Sequence, residues 1–301
     1  MWKALLALQV AAGQVLQVSL PDGQARVLVE TTGVAPDGIV MDAGIVYWTT
    51  MGAPIQDPDT PGEGGQDFSR RNGGLHALDM DSGTQWDVVP PGTIITGKQL
   101  TSDRAGTLYW ADREGHRISR VRTDGSDLTD LVVTPADTGI MGECVGVAVD
   151  AGAGHLYWTQ KGPPKGGQGQ ILRAGLQLPA GETAESRTDV EVLWSGLPEP
   201  IDPHLEGDRL YWTDRGAPPS GNTLNRAHVP SAGTPSETPE ILANGFDEAI
   251  GLAVDSEAGL AYVSDLGGHL YAVPLPDGPV AEAVSCRIIT LGPLTGLTGF
   301  G

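Results

Sequence analysis

The chain has 301 residues and a formal net charge of −20, with 38 acidic against 18 basic side chains. This charge opposes contact with nucleic-acid phosphate and anionic lipid, and two cysteines are too few for a disulfide scaffold. We therefore expect a cytoplasmic protein with no nucleic-acid or membrane partner.

The first predicted strands lie between residues 5 and 23. Residues 4–12 resemble the apolar part of a secretory signal, but Gln9 interrupts them and no clear cleavage site follows. The stretch instead aligns with a later part of the chain, where Pro21-Asp22-Gly23 falls on the turn Thr123-Asp124-Gly125. It is interpreted as part of an incomplete repeat unit.

An aromatic tripeptide then recurs along the chain. The copies are Tyr47-Trp48-Thr49, Tyr109-Trp110-Ala111, Tyr157-Trp158-Thr159, Tyr211-Trp212-Thr213 and a decayed Tyr262-Val263-Ser264. Each follows an apolar stretch that ends in an acid and a Gly-containing turn, and two further short β-rich runs come after it. Four strands per unit, repeated at about 50 residues, are typical of propeller blades.

The two ends of the chain are predicted to share one unit. The unit at residues 5–23 lacks its first strand, and residues 293–300 resemble the first strand of the other units. Pairing of the two ends would close a ring and remove exposed sheet edges. The sequence therefore predicts an all-β fold, a single six-bladed β-propeller domain spanning residues 1–301, with four antiparallel strands per blade.

The repeats carry a family resemblance. Tyr211-Trp212-Thr213-Asp214 resembles the full YWTD signature of the low-density-lipoprotein-receptor class B repeat, and Asp112 and Asp265 end close variants of it. The resemblance spans essentially the whole chain and implies that the aromatic rings pack between blades while the Asp ties strands together. The cysteine-rich modules that accompany receptor propellers are missing from this chain, so the resemblance does not extend to receptor-type ligand uptake.

Three long insertions follow the aromatic strands, at residues 50–74, 160–169 and 215–221. In a propeller blade such loops share one face with the crossings that lead into the innermost strands. Polar residues stand just before or within those strands: Asp37, Lys98, Gln99, Glu143, Cys144, Asp202, His204, Asp247 and Glu248. Convergent polar groups under long loops predict a site at the mouth of the central channel, although such residues also line hydrated channels with no other role.

The predicted chemistry is acid–base catalysis. His204 and Glu143 are the candidates for proton transfer and Lys98 for an anion or carbonyl partner. The candidates for substrate binding are Asp37, Gln99, Asp202, Asp247, Glu248 and, on the first long loop, Arg70 and Arg71.

No cofactor is predicted. Residues 92–99 nearly match a phosphate-binding loop, but Gln99 stands where Ser or Thr is required, and no dinucleotide-binding glycine pattern occurs. Glu143, Asp202 and Asp247 come from three units and offer the oxygen ligands that a divalent metal prefers. No short ligand spacing supports that site.

Two classes of function agree with the sequence. The first is a small-molecule enzyme of isomerase, lyase, cyclase or hydrolase type, acting on a metabolite in a biosynthetic pathway. The second is a non-catalytic module that binds a protein or ligand. The long loops are rich in Gly and Pro and contain Phe68 as their one aromatic residue, whereas interaction faces usually present aromatic anchors. This composition favours a lid over a pocket.

Overall fold

The computed structural model describes residues 1–20, 22–60, 63–280 and 284–301. Pro21 of the predicted first turn, and Pro61 and Gly62 of the predicted first insertion, lie outside the described residues. The strands form six four-stranded antiparallel sheets, and the innermost strands of these sheets contact one another in a closed ring. The predicted six-bladed β-propeller is confirmed.

The first three strands belong to the closing blade, and blade one follows. The strands of this part are β1 (Ala4–Gln9), β2 (Gln14–Ser19), β3 (Ala25–Val29), β4 (Pro36–Asp42), β5 (Ile45–Thr50), the two-residue pair β6 (Ile55–Gln56) and β7 (Gln66–Asp67), β8 (Gly73–Asp79) and β9 (Gln85–Ile94). Strands β4, β5, β8 and β9 form blade one, while β6 and β7 form a small hairpin within its long loop.

Blades two and three continue the same order. Their strands are β10 (Gly97–Ser102), β11 (Thr107–Asp112), β12 (Arg117–Arg122), β13 (Thr129–Val133), β14 (Cys144–Asp150), β15 (His155–Gln160), β16 (Gly169–Gly175) and β17 (Glu191–Leu197). Two short 3₁₀ segments lie between strands, at Glu63–Gly65 and Ala136–Gly142.

Blades four and five complete the described strands together with the last strand of the closing blade. The ranges are β18 (Pro200–Glu206), β19 (Arg209–Asp214), β20 (Thr223–His228), β21 (Glu240–Asn244), β22 (Ala249–Asp255), β23 (Leu260–Asp265), β24 (His269–Pro274), β25 (Cys286–Thr290) and β26 (Leu294–Phe300).

The closing blade joins the two ends of the chain, as predicted. Its strand order is β26-β1-β2-β3, with Ala4 opposite Phe300 and Ala7 opposite Leu297. Leu297 is buried against the neighbouring blade. The innermost strand of this blade thus comes from the end of the sequence and the other three strands from its beginning.

The aromatic motifs hold the blades together. Trp48, Trp110, Trp158 and Trp212 are each at most 2% exposed, which confirms the expected packing role. Where the next residue is Thr, its hydroxyl donates to the innermost strand of the following blade, as in Thr49 to the Lys98 carbonyl (2.6 Å) and Thr159 to the Ile201 carbonyl (2.7 Å).

The motif aspartates tie strands together, as the resemblance implies. Asp112 accepts hydrogen bonds from the Thr96 amide (2.7 Å) and from Nε of Arg117 (3.1 Å). Asp214 likewise accepts from the Glu199 amide at 3.0 Å. Each aspartate thereby fixes the crossing that leads into an innermost strand, which is where the candidate site residues lie.

Candidate functional site

A cavity of about 570 Å³ opens at the face that carries the long loops and the crossings between blades. We call it the loop-side cavity. Asp37 and Lys98 line its floor, and Arg113, Arg215 and Phe68 of the first long loop also line it. The sequence predicted Asp37 and Lys98 at such a mouth.

The floor of the cavity is a compact polar cluster. Nζ of Lys98 donates to the carboxylate of Asp37 and lies 3.4 Å from Sδ of Met51. Nε2 of Gln99 donates to Oδ1 of Asp37 at 2.9 Å. Burial lowers the pKa of Lys98, and the charge of Asp37 opposes that shift. Lys98 is therefore an ammonium donor that releases its proton more readily than an exposed lysine.

A chain of alternating charges surrounds the same mouth. It begins with the Arg113–Glu114 pair, whose nitrogen and oxygen lie 2.6 Å apart, and continues with Lys161, which is 3.9 Å from both Glu143 and Glu199. Beyond Glu199, Arg215 lies 3.2 Å from that carboxylate and 3.1 Å from Glu248, which also pairs with Lys165 at 3.2 Å. Glu143 and Glu248 were predicted here, and their basic partners were not.

Glu143 and Lys161, two members of this chain of charges, both have shifted pKa values. Burial raises the pKa of Glu143, although the charges of Arg113 and Lys161 favour its ionised form. Burial lowers the pKa of Lys161, and Glu199 and Glu143 oppose that shift. Burial thus shifts the two pKa values toward each other, and the opposite charges of the two groups limit both shifts.

His204 lies at the opposite opening of the channel. It aligns with Val40 as predicted, because each pairs with the tyrosine of its motif. However, His204 stands four residues beyond Pro200, the first residue of β18, and a strand rises about 3.3 Å per residue. It lines a separate cavity of about 360 Å³, where its Nε2 lies 3.9 Å from Glu206. The expectation that His204 shares one mouth with Lys98 and Glu143 is therefore wrong.

Asp202 lies inside the channel. Four innermost strands have glycine at the third position, where a Cβ atom on Gly146, for example, would come within 2.0 Å of the Ile201 carbonyl. Asp202 and Gln99 occupy this position in the other two strands. Oδ2 of Asp202 accepts a hydrogen bond from the Leu252 amide at 2.9 Å, and burial raises the pKa of Asp202 well above its ordinary value. Burial therefore favours the protonated, neutral form of Asp202.

Replacement of Asp202 by Asn is expected to stabilise the protein above about pH 4. Asn can keep the bond from the Leu252 amide, and it removes the ionisation. Because the folded-state pKa of Asp202 lies above its ordinary value of 3.8, protonation favours the folded state below that pH, and the contribution is lost as pH rises through the folded pKa. Urea unfolding between pH 4 and 9 should show a gain of about 1–3 kcal/mol at the alkaline end. An equal effect at both ends would contradict this assignment.

Of the predicted residues, Asp37 and Lys98 line the loop-side cavity, whereas Gln99, Glu143 and Glu248 lie near it without lining it. The remaining predicted residues lie farther out. Asp247 is exposed on the crossing before β22. Arg70 and Arg71 are exposed, and Nη1 of Arg71 donates to the Thr93 carbonyl at 2.9 Å, away from the cavity. Within the described ranges, no three His, Cys, Asp or Glu side chains are grouped so that they could hold a metal ion. Glu143, Asp202 and Asp247 therefore do not converge as the metal hypothesis required.

Sequence comparison identifies relatives of the chain. A protein of Pyricularia oryzae named low-density lipoprotein receptor-related protein 1 is 39% identical over 302 residues, which cover 92% of this chain and 89% of the relative. The chain belongs to the low-density-lipoprotein-receptor class B, or YWTD, propeller family. A comparison with models of protein families finds no match.

A second relative of this YWTD propeller is longer. It is a protein of Cochliobolus heterostrophus named 3-hydroxyacyl-CoA dehydrogenase-like protein LAM1, which is 37% identical over 276 residues. The match covers 86% of this chain but 55% of LAM1, so the YWTD propeller corresponds to about half of that protein.

Solved structures support the same fold. A chain of a nidogen/laminin complex superposes with a TM-score of 0.68 at 16% identity, covering 98% of this propeller and 97% of that chain. Regucalcin of Agrobacterium tumefaciens, described as a calcium-binding protein, superposes with a TM-score of 0.60 at 18% identity, covering 92% and 81%. At these identities the likeness concerns the fold alone. Among the described residues of the YWTD propeller, no helix has the length and apolar character to cross a membrane.

Proposed function

We propose that this YWTD propeller is a small-molecule enzyme that works in the loop-side cavity by acid–base chemistry and without a nucleotide cofactor. The observation that carries the proposal is the buried Lys98, which lines the cavity and has a lowered pKa. Glu143, which has a raised pKa, lies in the chain of charges around the same mouth, and the charge of Arg113 acts on both groups. Perturbed groups of opposite type beside one cavity are typical of active sites.

The proposed chemistry is proton transfer next to a carbonyl group. The Lys98 ammonium donates a hydrogen bond to the carbonyl oxygen and stabilises the negative charge that develops there. The Glu143 carboxylate accepts the proton from the adjacent carbon and returns it at another position, while Lys161 holds Glu143 in place. Such chemistry covers isomerase, lyase and cyclase reactions, and hydrolysis when water is the group that Glu143 deprotonates. Catalysis by His204 stays a prediction that concerns the opposite cavity.

The alternative is a protein-binding module. The nidogen/laminin structure is a complex between proteins, so a propeller of this fold can take part in such an assembly. In this chain, the aromatic residue of the three long loops, Phe68, is buried beside the cavity. The loops thus present no aromatic anchor to a partner protein among their described residues, which favours the enzyme.

Substitution of the two perturbed groups tests the proposal. Glu143→Gln removes the proton acceptor with little change of shape, and Lys98→Met is combined with Asp37→Asn so that no buried carboxylate loses its partner. The proteins are incubated with a small-molecule extract of the source organism, and consumed and formed compounds are followed by mass spectrometry. We expect each variant to lower turnover by about 10²–10⁴-fold.

The control is Arg104→Met, which removes an exposed cation from the opposite cavity and should leave turnover unchanged. Circular dichroism establishes that all the variants fold. Undiminished turnover in folded Glu143→Gln and Lys98→Met/Asp37→Asn proteins would refute the proposed site. An extract that the parent protein leaves unaltered would favour the binding module.

A further inference from the structure

One repeat position differs systematically around the loop-side mouth. It is the first residue after the second strand of each blade, occupied by Val10, Met51, Arg113, Lys161, Arg215 and Leu266 from the closing blade to blade five. The backbone holds this position in the same way in most blades. The amide of Met51 donates to the Ala35 carbonyl (2.9 Å), and the amide of Arg215 donates to the Glu199 carbonyl (3.0 Å), in each case to the crossing before the innermost strand.

The six side chains divide the mouth into two halves. Blades two, three and four contribute Arg113, Lys161 and Arg215. Blade five, the closing blade and blade one contribute Leu266, Val10 and Met51. Each set comes from consecutive blades, so the ring has a continuous basic half and a continuous apolar half. Every member except Lys161 lines the cavity itself.

Further residues extend the apolar half into the cavity. Val34, Pro54, Phe68, Ile250 and Pro293 line it beside the apolar set. The Arg113 guanidinium lies 5.6 Å from the centre of the Phe68 ring, so these two residues mark the boundary between the halves.

The basic half presents guanidinium groups to the cavity. The cations of the mouth are Lys98, Arg113, Lys161, Lys165 and Arg215, and the acids that pair with them are Asp37, Glu114, Glu143, Glu199 and Glu248. Of the three basic residues at the repeat position, Arg113 and Arg215 line the cavity itself. A ligand in the cavity can therefore reach these two guanidinium groups.

We propose that the loop-side cavity binds an amphipathic monocarboxylate, with the carboxylate against the Arg113 guanidinium of the basic half and a hydrocarbon chain against the apolar half. A planar carboxylate matches the donor fork of Arg. A cavity of about 570 Å³ lies within the range that encloses small ligands. The inference deepens the proposed function by naming the class of substrate.

Calorimetric titration with three probes tests the inference. Decanoate carries both features, acetate carries the charge without the chain, and decanol carries the chain without the charge. We expect decanoate to bind at least about tenfold more tightly than either of the other two, because it alone satisfies both halves. Equal affinities for decanoate and acetate, or for decanoate and decanol, would overturn the inference.

Amino-acid substitutions test which half binds the carboxylate and which binds the hydrocarbon chain. Arg113→Met combined with Glu114→Gln removes the cation and its buried partner together, and should weaken decanoate about tenfold or more without affecting decanol. Leu266→Asn should weaken decanoate and decanol by about tenfold each. Arg104→Met, in the opposite cavity, should bind decanoate like the parent protein. Unchanged decanoate affinity in both site variants would overturn the inference.

Glu143→Gln separates this inference from the proposed function. The substitution removes a negative charge that acts on Arg113, so this variant should bind decanoate at least as tightly as the parent while it loses turnover. Retained turnover with retained binding would refute the enzyme and leave the ligand class standing. Loss of decanoate binding in Glu143→Gln would overturn the ligand class even if turnover is lost as proposed.

Discussion

Deletion of residues 293–301 is expected to abolish the cooperative unfolding transition. The deletion removes β26, the innermost strand of the closing blade, and with it the pairing between the two ends of the chain. It uncovers β1, whose Leu5, Leu6 and Leu8 are fully buried, and it removes the hydrogen bond from Thr295 Oγ1 to the Pro36 carbonyl (2.9 Å) that links the closing blade to blade one. An open ring exposes two sheet edges that favour aggregation.

Thermal and urea unfolding followed by circular dichroism should therefore show a broad, shallow change in the truncated protein. A pair of point variants gives the matched control. Leu297→Asp places a charge at a buried position of β26 and should be strongly destabilising, whereas Val284→Asp, at a position 86% exposed, should have little effect. A truncated protein that retains the full transition of the parent would show that the ring does not need this closure.

The sequence was sufficient to predict the propeller because the residues that build it repeat. The aromatic motifs recur at similar spacing, and the tryptophans that they predict to be buried pack between blades. The shared blade was also predictable, since residues 5–23 align with a unit that lacks one strand. These features depend on local patterns, which a single sequence displays directly.

The composition of the site was only partly predictable, for a geometric reason. An innermost strand runs from one mouth of the channel toward the other, so the position of a residue along the strand decides which opening it reaches. Lys98 is the second residue of β10 and lines the loop-side cavity, while His204 is the fifth residue of β18 and lines the opposite one. In the aligned repeats Lys98 and His204 stand at nearby positions, so the alignment did not show that they reach different mouths of the channel.

The basic partners of the site were missed for another reason. Arg113, Lys161 and Arg215 directly follow the aromatic strands. Lys161 and Arg215 lie in long loops that the sequence interpretation treated as insertions, and Arg113 lies in a short turn. Alignment of the first loop residue across all six units would have shown three basic and three apolar side chains. The pairing of Lys161 with Glu199 depends on a contact between blades, which the sequence does not display.

Replacement of Trp212 by Ala is expected to lower the free energy of unfolding by about 3–5 kcal/mol. The indole is 1% exposed and belongs to a core cluster that joins blade four to blade three, with Tyr157 and Ile171 on the far side. Its ring centre lies 5.5 Å from that of Trp194. Removal of the indole leaves a void between two rigid sheets, which cannot approach each other without disturbing the rest of the ring, so the cavity is expected to persist.

Trp86→Ala is the matched control, because this indole is 37% exposed on an outer strand and its removal should cost less than about 1 kcal/mol. Urea titrations of both variants, followed by far-ultraviolet circular dichroism, compare the two costs directly. A loss of about 3–5 kcal/mol in a transition that stays single and cooperative indicates that the contact between blades three and four stabilises the ring as one unit. Similar costs for Trp86 and Trp212 would mean that the space between blades collapses after truncation, and that the motif tryptophans contribute mainly apolar area rather than a fixed separation of the sheets.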